Sequence, residues 1–264
     1  ANPEDYTNRG SIVTPLKDRI GSQIITHYPH TLGIAKKITS QESDVKVSNL
    51  YVPELASDLI EEINFAARKS EFVDFKSGVS ARMSITAFEN LVSTAKRRML
   101  INGEKESSIR LSDFSGIIPA INGKIELVYE GEEQGADQIS FNLINEGVKT
   151  IFLRYFPEIS KLEKPNEVTP YDGILSWFIE NNNELFIGDD FTDSEYRNAI
   201  DAMKPLDNLI KKYCKNIDQA DHYFIKEVLL WGLSSFKKLS KNRMQDGIEF
   251  KDSLGTYLRN LNSD

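Results

Sequence analysis

Hydrophobic side chains recur every three or four residues along most of the chain, the spacing of α-helices with one buried face. This pattern predicts helices at about residues 30–40, 53–69 and 84–101, and a stronger one over 136–156. Pro53 suits the first turn of the second helix, where a missing backbone N–H costs nothing. The pattern therefore predicts a mainly α fold.

The third of these helices raises a question about Arg82, which stands just before its predicted start. Ser84 is the expected N-cap, and Thr86 with Glu89 matches a capping box. A cation near the positive end of a helix is disfavoured by about 0.3–1 kcal/mol unless an anion shares the site. Arg82 is therefore expected either to point into water or to face an anion such as a phosphate.

Other segments depart from the simple helical pattern. Residues 22–29 form a β-branched apolar run that predicts a strand. Residues 111–135 are ambiguous between a strand and two short helices, and the helices are favoured. Residues 158–169 are polar with prolines and predict a linker. Further on, residues 192–195 match a capping box, and 218–241 predict the longest C-terminal helix.

Charge and hydropathy limit the partners and the location of the protein. The net charge is −8, which argues against nucleic-acid binding through a generally basic surface. No apolar run approaches the length of a membrane span, and the polar first residues show no signal peptide. A cytoplasmic protein is therefore expected, without nucleic-acid or membrane partners.

Cysteine and histidine offer little chemistry. Cys214 is the only cysteine, so no intrachain disulfide and no thiolate zinc cluster can form. A nucleophilic pair would require Cys214 and His222 to converge in the fold. His27 and His30 are read as a strand end and turn, and no metal site is expected.

Two charged runs are interpreted as solvated surface. Glu130, Glu132 and Glu133 form an acidic loop that could bind a cation but more simply faces water. The run from Lys96 to Arg98 is read as the exposed face of a helix. No complete catalytic motif is present, since the phosphate-cradling loop G-x-x-x-x-G-K-[ST] and the G-x-S-x-G elbow are both missing.

Three segments together carry a resemblance to a known family. They are "ANPEDYTNRGSIVTPLKDRI", "DFKSGVSARMSITAFENLVSTAKRR" and "AINGKIELVYEGEEQGA", in this order. The chain resembles the magnesium chelatase ATPase subunit, an AAA+ ATPase close to the MoxR-type ATPases, over about residues 1–157. No resemblance extends beyond the predicted linker.

The resemblance implies a division of the chain. Residues 1–29 would be the end of the AAA+ α/β nucleotide-binding core, and 30–157 its helical lid. Residues 158–169 would link the lid to an additional helical region over 170–264. The Walker A and Walker B segments would precede Ala1, so the sequence is expected to be part of a longer ATPase and inactive alone.

The resemblance also implies roles for four residues. Asn2 would be the sensor-1 residue that orients the attacking water, and Arg19 the arginine finger supplied to a neighbouring subunit. Asp18 would lie at the same subunit interface and orient Arg19. Arg82 would be the sensor-2 arginine that reaches the γ-phosphate of the subunit's own ATP. Gly78 would give the preceding turn its flexibility.

The full-length protein would then bind ATP and Mg²⁺ and work as a homo-oligomeric ring, expected to be a hexamer. It would act with a VWA-domain protein and remodel a partner, with Mg²⁺ insertion into protoporphyrin as one outcome. One alternative is a MoxR-like chaperone. Another is a helical interaction module without catalysis.

Overall fold

The structure is a computed structural model that describes Arg19 and residues 21–22, 24–159, 168–180 and 183–253. These residues form a mainly α-helical fold with two small sheets, which confirms the expected class. None of the helices in these ranges combines the length and the hydropathy needed to cross a membrane.

The first half of the described chain is almost entirely helical. Its α-helices are α1 Leu32–Glu42, α2 Glu54–Ala67, α3 Arg82–Ile101, α4 Ile118–Asn122, α5 Tyr129–Gln134 and α6 Ala136–Tyr155. A 3-10 helix, Leu111–Ile117, leads directly into α4. Two short strands, β1 (Leu50–Tyr51) and β2 (Ser107–Ser108), pair in parallel.

The second half combines helices with a three-stranded antiparallel sheet. Its α-helices are α7 Asp172–Ile179, α8 Asp193–Asp201, α9 Lys204–Tyr213 and α10 His222–Ser235. Its strands are β3 Leu185–Gly188, β4 Leu239–Arg243 and β5 Gly247–Asp252, in the order β3-β5-β4. Phe250 of β5 lies between Leu185 on one neighbour and Lys241 on the other.

The predicted helices form because each buries one apolar face. In α2, Leu55, Leu59 and Ile63 are buried, as the spacing of four residues predicts. In α3, Leu91 and Ala95 are buried on the face that packs against the rest of the protein. Burial of side chains such as these contributes about 1.5–3 kcal/mol for each large one.

Helix α6 lies at the centre of the core, between α2 and α10. A β-carbon at Gly147 would come within 2.9 Å of Leu59 Cδ1, so α2 and α6 approach closely there. A β-carbon at Gly232 of α10 would come within 2.1 Å of Phe152 Cδ2 on α6. Both glycines therefore allow helix contacts that any larger side chain would prevent.

The predicted strand at residues 22–29 is wrong. Its described residues have no regular secondary structure, and Ile24 and Ile25 are 87% and 82% exposed. A strand needs a neighbour to satisfy its backbone N–H and C=O groups. No strand within the described residues pairs with this segment, so the β-branched composition alone does not produce one.

The predicted start of the third helix is also wrong. Helix α3 begins at Arg82, two residues before Ser84, and Ala81 takes the N-cap position without a side-chain cap. Thr86 and Glu89 therefore lie inside the helix and form no capping box.

The second capping box is confirmed. Thr192 precedes α8 and accepts a hydrogen bond from the Glu195 backbone N–H, while the Glu195 carboxylate accepts one from the Thr192 backbone N–H.

The long C-terminal helix predicted over 218–241 is too long. Helix α10 ends at Ser235, Lys237 takes a left-handed conformation with φ of 58°, and β4 follows. The region after the linker is therefore not purely helical. Residues 111–135 do hold short helices, together with a single bridge between Leu127 and Val73. The linker and the domain limits stay predictions, since 160–167 lie outside the described part.

Candidate functional site

Arg82 is the first residue of the 20-residue helix α3, rather than a residue before it. The first turn holds no acidic side chain, and the guanidinium is exposed. Within the described part of the chain, Arg82 makes no ion pair, and its backbone N–H donates to Ser80 Oγ at 3.3 Å. Among the described residues, a cation and the positive end of the helix therefore stand together without an anion, an arrangement that a bound phosphate would complete.

The turn before Arg82 is held by Tyr28. Gly78 has a φ of 66°, and a β-carbon there would come within 2.3 Å of the Tyr28 hydroxyl oxygen. The Val79 backbone N–H donates to that hydroxyl at 3.2 Å. Arg68 places its guanidinium 4.2 Å from the Tyr28 ring centroid and donates from Nε to the Val79 carbonyl at 2.9 Å. These contacts hold the segment around Tyr28, which precedes α1, against the turn that leads to Arg82.

A buried polar cluster supports the start of α3 from below. The Glu61 carboxylate accepts hydrogen bonds from Thr39 Oγ1 at 2.5 Å and from Ser84 Oγ at 2.8 Å. Asn64 Nδ2 donates to Ser84 Oγ at 2.7 Å and to the Ser80 carbonyl at 3.2 Å. Burial raises the pKa of Glu61 above its usual range. These contacts join α1, α2 and α3, so the backbone at the start of α3, where Arg82 lies, is held in position.

The other three predicted site residues receive no test. Arg19 is an exposed turn residue, and Asn2 and Asp18 lie outside the described residues. The structure therefore assembles the surroundings of Arg82 alone.

The acidic run after Tyr129 is a short helix, and not a loop. Glu130, Glu132 and Glu133 are exposed on α5, as expected for solvated charges. Gly131 is buried, and a β-carbon there would lie 2.7 Å from the Phe72 carbonyl oxygen. The described residues contain no group of three or more acidic, histidine or cysteine side chains able to hold a metal ion. Gly131 therefore allows α5 to pack closely against Phe72.

Cys214 and His222 show no sign of a nucleophilic pair. Cys214 is buried, and burial raises the pKa of its thiol to about 11. A nucleophilic cysteine needs the opposite shift, toward the thiolate. His27 and His30 stack with their ring centroids 4.4 Å apart, which is a contact between neighbours along the chain.

The interpretation of Arg98 as part of a solvated face is wrong. Its side chain is 2% exposed and makes a bidentate pair with Asp113, at 3.1 Å from Nε and 2.9 Å from Nη2. Arg98 also donates to Ser107 Oγ and to the Ser108 carbonyl, which hold β2. The helical period could have placed Arg98 on the buried face, three residues after Ala95.

A second buried charged group joins the two halves of the fold. The Glu227 Oε2 atom of α10 accepts hydrogen bonds from the Leu111 backbone N–H and from the Tyr196 hydroxyl, both at 2.8 Å. Arg110 stacks on the Tyr196 ring at 4.2 Å and donates to the Phe191 carbonyl at 2.7 Å. Burial raises the pKa of Glu227 to about 7. Sequence reasoning missed this cluster because its members are far apart along the chain.

At the level of class, the protein is mainly α-helical, with an exposed arginine at the start of a long, well-supported helix. The chain matches no family model, no curated protein and no solved structure.

Proposed function

We propose that this chain is the sensor, arginine-finger and lid portion of an AAA+ ATPase similar to the magnesium chelatase ATPase subunit. The ring formed by the full-length protein would couple ATP hydrolysis to the remodelling of a partner, together with a VWA-domain protein. Mg²⁺ insertion into protoporphyrin is the first reaction to test. The sequence resemblance motivates this proposal.

The observation that carries the proposal is Arg82, which is exposed at the first residue of α3 and makes no ion pair with any described residue. A guanidinium there costs about 0.3–1 kcal/mol in the absence of an anion, and the surrounding residues do nothing to offset it. The guanidinium could bind a phosphate by charge-assisted hydrogen bonds, and the positive end of the helix dipole would add to the attraction. ATP would supply this phosphate.

The same surroundings suggest how the lid would respond to hydrolysis. Arg82 would hold the terminal phosphate by charge-assisted hydrogen bonds and release it when the phosphate leaves. The turn at Gly78 can change its backbone angles most easily, because glycine has no side chain to restrict φ. Tyr28 contacts that turn directly. A movement of Arg82 would therefore also move the segment around Tyr28, which leads into the first helix of the lid.

The remaining roles belong to residues that the structure does not test. Arg19 would act on the nucleotide of a neighbouring subunit, Asn2 would position the attacking water, and Asp18 would orient Arg19. The described residues hold no cluster that fits Mg²⁺. The proposed function therefore assigns no metal ligand to the described residues.

The test compares Arg82→Ala with Arg97→Ala in the full-length protein. Both remove an exposed arginine from α3, but Arg97 lies about 22 Å further along the helix and pairs with Asp190 at 3.0 Å. Arg82→Ala should lower ATP turnover about a hundredfold, as loss of a positioned charge at a reacting group does. It should also weaken ATP binding while ADP binding stays unchanged, and without nucleotide it should raise the free energy of unfolding by about 0.3–1 kcal/mol.

Arg97→Ala should keep full turnover. Unchanged turnover in the Arg82→Ala variant would refute the assignment of Arg82.

A second measurement separates the candidate reactions. ATP turnover of the full-length protein should rise when a porphyrin-binding chelatase subunit is added. A response only to a different VWA-domain protein would instead favour the MoxR-like chaperone. A degenerate phosphate-binding loop before Ala1 would favour the helical interaction module.

A further inference from the structure

A cavity of about 910 Å³ lies between the C-terminal part of α2, helix α6, the end of α10 and strand β4, and Arg82 is not among the residues that line it. Its wall is mixed, with aromatic rings such as Phe65 and Phe141 beside amides and hydroxyls such as Asn145 and Ser234. A volume of this size is typical of sites for small molecules. The proposed ATPase function makes no use of this cavity.

Lys241 of β4 reaches into the wall of this cavity. Its Nζ lies 3.5 Å from the Trp231 ring centroid and 4.8 Å from that of Phe141. It donates a hydrogen bond to Asn145 Oδ1 at 2.6 Å. Within the described part of the chain, no carboxylate lies at ion-pair distance from this amine. Lys241 is therefore a lysine held in place by aromatic rings and one amide, without a counter-ion.

The charged groups around the cavity do not supply that counter-ion. Glu62 pairs with Arg154, and Glu146 Oε1 lies 3.8 Å from Lys149 Nζ. Lys69 and Glu71 complete the charged lining. Glu62 and Glu146 are thus already paired with cations, and Glu71 is balanced by Lys69, so the wall has no excess of positive charge that would select an anionic ligand.

The amine itself favours nucleophilic chemistry. Burial lowers the pKa of Lys241 to about 7, so much of it is neutral near physiological pH. A neutral lysine amine carries a free electron pair, and desolvation in an apolar surrounding is a known route to a nucleophilic lysine. The hydrogen bond to Asn145 uses one N–H and leaves that electron pair available.

We propose that this cavity binds aldehydes or ketones that carry an aromatic or other flat apolar group, and that Lys241 forms an imine with them. The Lys241 Nζ electron pair attacks the carbonyl carbon, and a proton from Nζ moves to the carbonyl oxygen. Loss of water from this carbinolamine then gives the C=N bond. The apolar group would lie in the cavity beside Phe141, and neither step requires a metal or a redox partner.

The experiment traps the imine on the folded protein. The chain is incubated at about pH 7 with benzaldehyde and sodium cyanoborohydride, which donates hydride to an imine and leaves a stable secondary amine. Peptide mass spectrometry then measures labelling at each lysine over time. Lys241 should be labelled at least tenfold faster than Lys69, an exposed lysine of the same cavity wall, and its rate should level off above about pH 7.

Two variants complete the test. Lys241→Met keeps an unbranched apolar stem and should abolish the fast labelling, whereas Lys69→Met should leave it unchanged. In urea, where the cavity is lost, Lys241 and Lys69 should react alike. Equal rates at the two lysines in the folded protein, with thermal unfolding of both variants preserved, would overturn the proposal.

Discussion

Replacement of Glu227 by glutamine should remove a pH dependence from the stability of the protein. The carboxyl group is buried, its Oε2 accepts two hydrogen bonds, and its Oε1 has no partner among the described residues. Burial raises its pKa from 4.5 to about 7. The folded protein therefore binds this proton more tightly than the unfolded chain does.

The sign and size of the effect follow from these two pKa values. The extra stability is fully present below about pH 4.5 and is lost as the pH rises through about 7. At about 1.4 kcal/mol for each pH unit, the difference amounts to about 3 kcal/mol. Glutamine can still accept both hydrogen bonds through its carbonyl oxygen, but it carries no charge at any pH.

Urea unfolding followed by tryptophan fluorescence measures this difference. The free energy of unfolding of Glu227→Gln, relative to the natural protein, should rise by about 3 kcal/mol between about pH 4.5 and pH 8. Glu130→Gln makes the same chemical change at an exposed position and is measured as the control. A difference for Glu227→Gln that stays constant with pH would refute the reasoning.

Two further pairs of substitutions test the packing and the capping. Gly232→Ala should lower the free energy of unfolding by about 1–3 kcal/mol, because the added methyl group overlaps the Phe152 ring. Gly33→Ala, in α1, should raise it by about 0.5 kcal/mol, because the methyl group meets open space and alanine favours the helix. Urea unfolding compares the two variants, and a loss of equal size in both would contradict the contact. Thr192→Ala should cost about 1 kcal/mol by removing the cap of α8, and Ser194→Ala, two residues later in the first turn of the helix, should cost little. Equal losses for these two would show that the cap contributes nothing.

The sequence predicts those helices whose burial is one-sided. In α2 and α3 the apolar residues repeat on one face, so the pattern alone locates both helices. The pattern is less informative at their ends. The first turn of α3 has no side-chain cap, and the short serine side chain at position 84 is used for a buried contact with Glu61.

The sequence fails where contacts between distant segments decide the structure. Strand β4 reads "LSKNR", whose polar residues give no apolar alternation, and only its pairing with β5 makes it a strand. Conversely, Ile24 and Ile25 have strand-like composition but no partner strand in the described chain. Arg98 and Glu227 are buried because their partners arrive from other elements, which spacing along the chain cannot show.

The close contact of Gly232 with Phe152 also constrains how this protein can diverge. A larger side chain on α10 fits only if the ring on α6 is replaced by something smaller, since their atoms occupy the same space. Homologous chains should therefore change the two positions together. A chain with alanine or serine at the first position should carry an aliphatic residue in place of the phenylalanine, and the double variant should recover much of the stability lost by the single one.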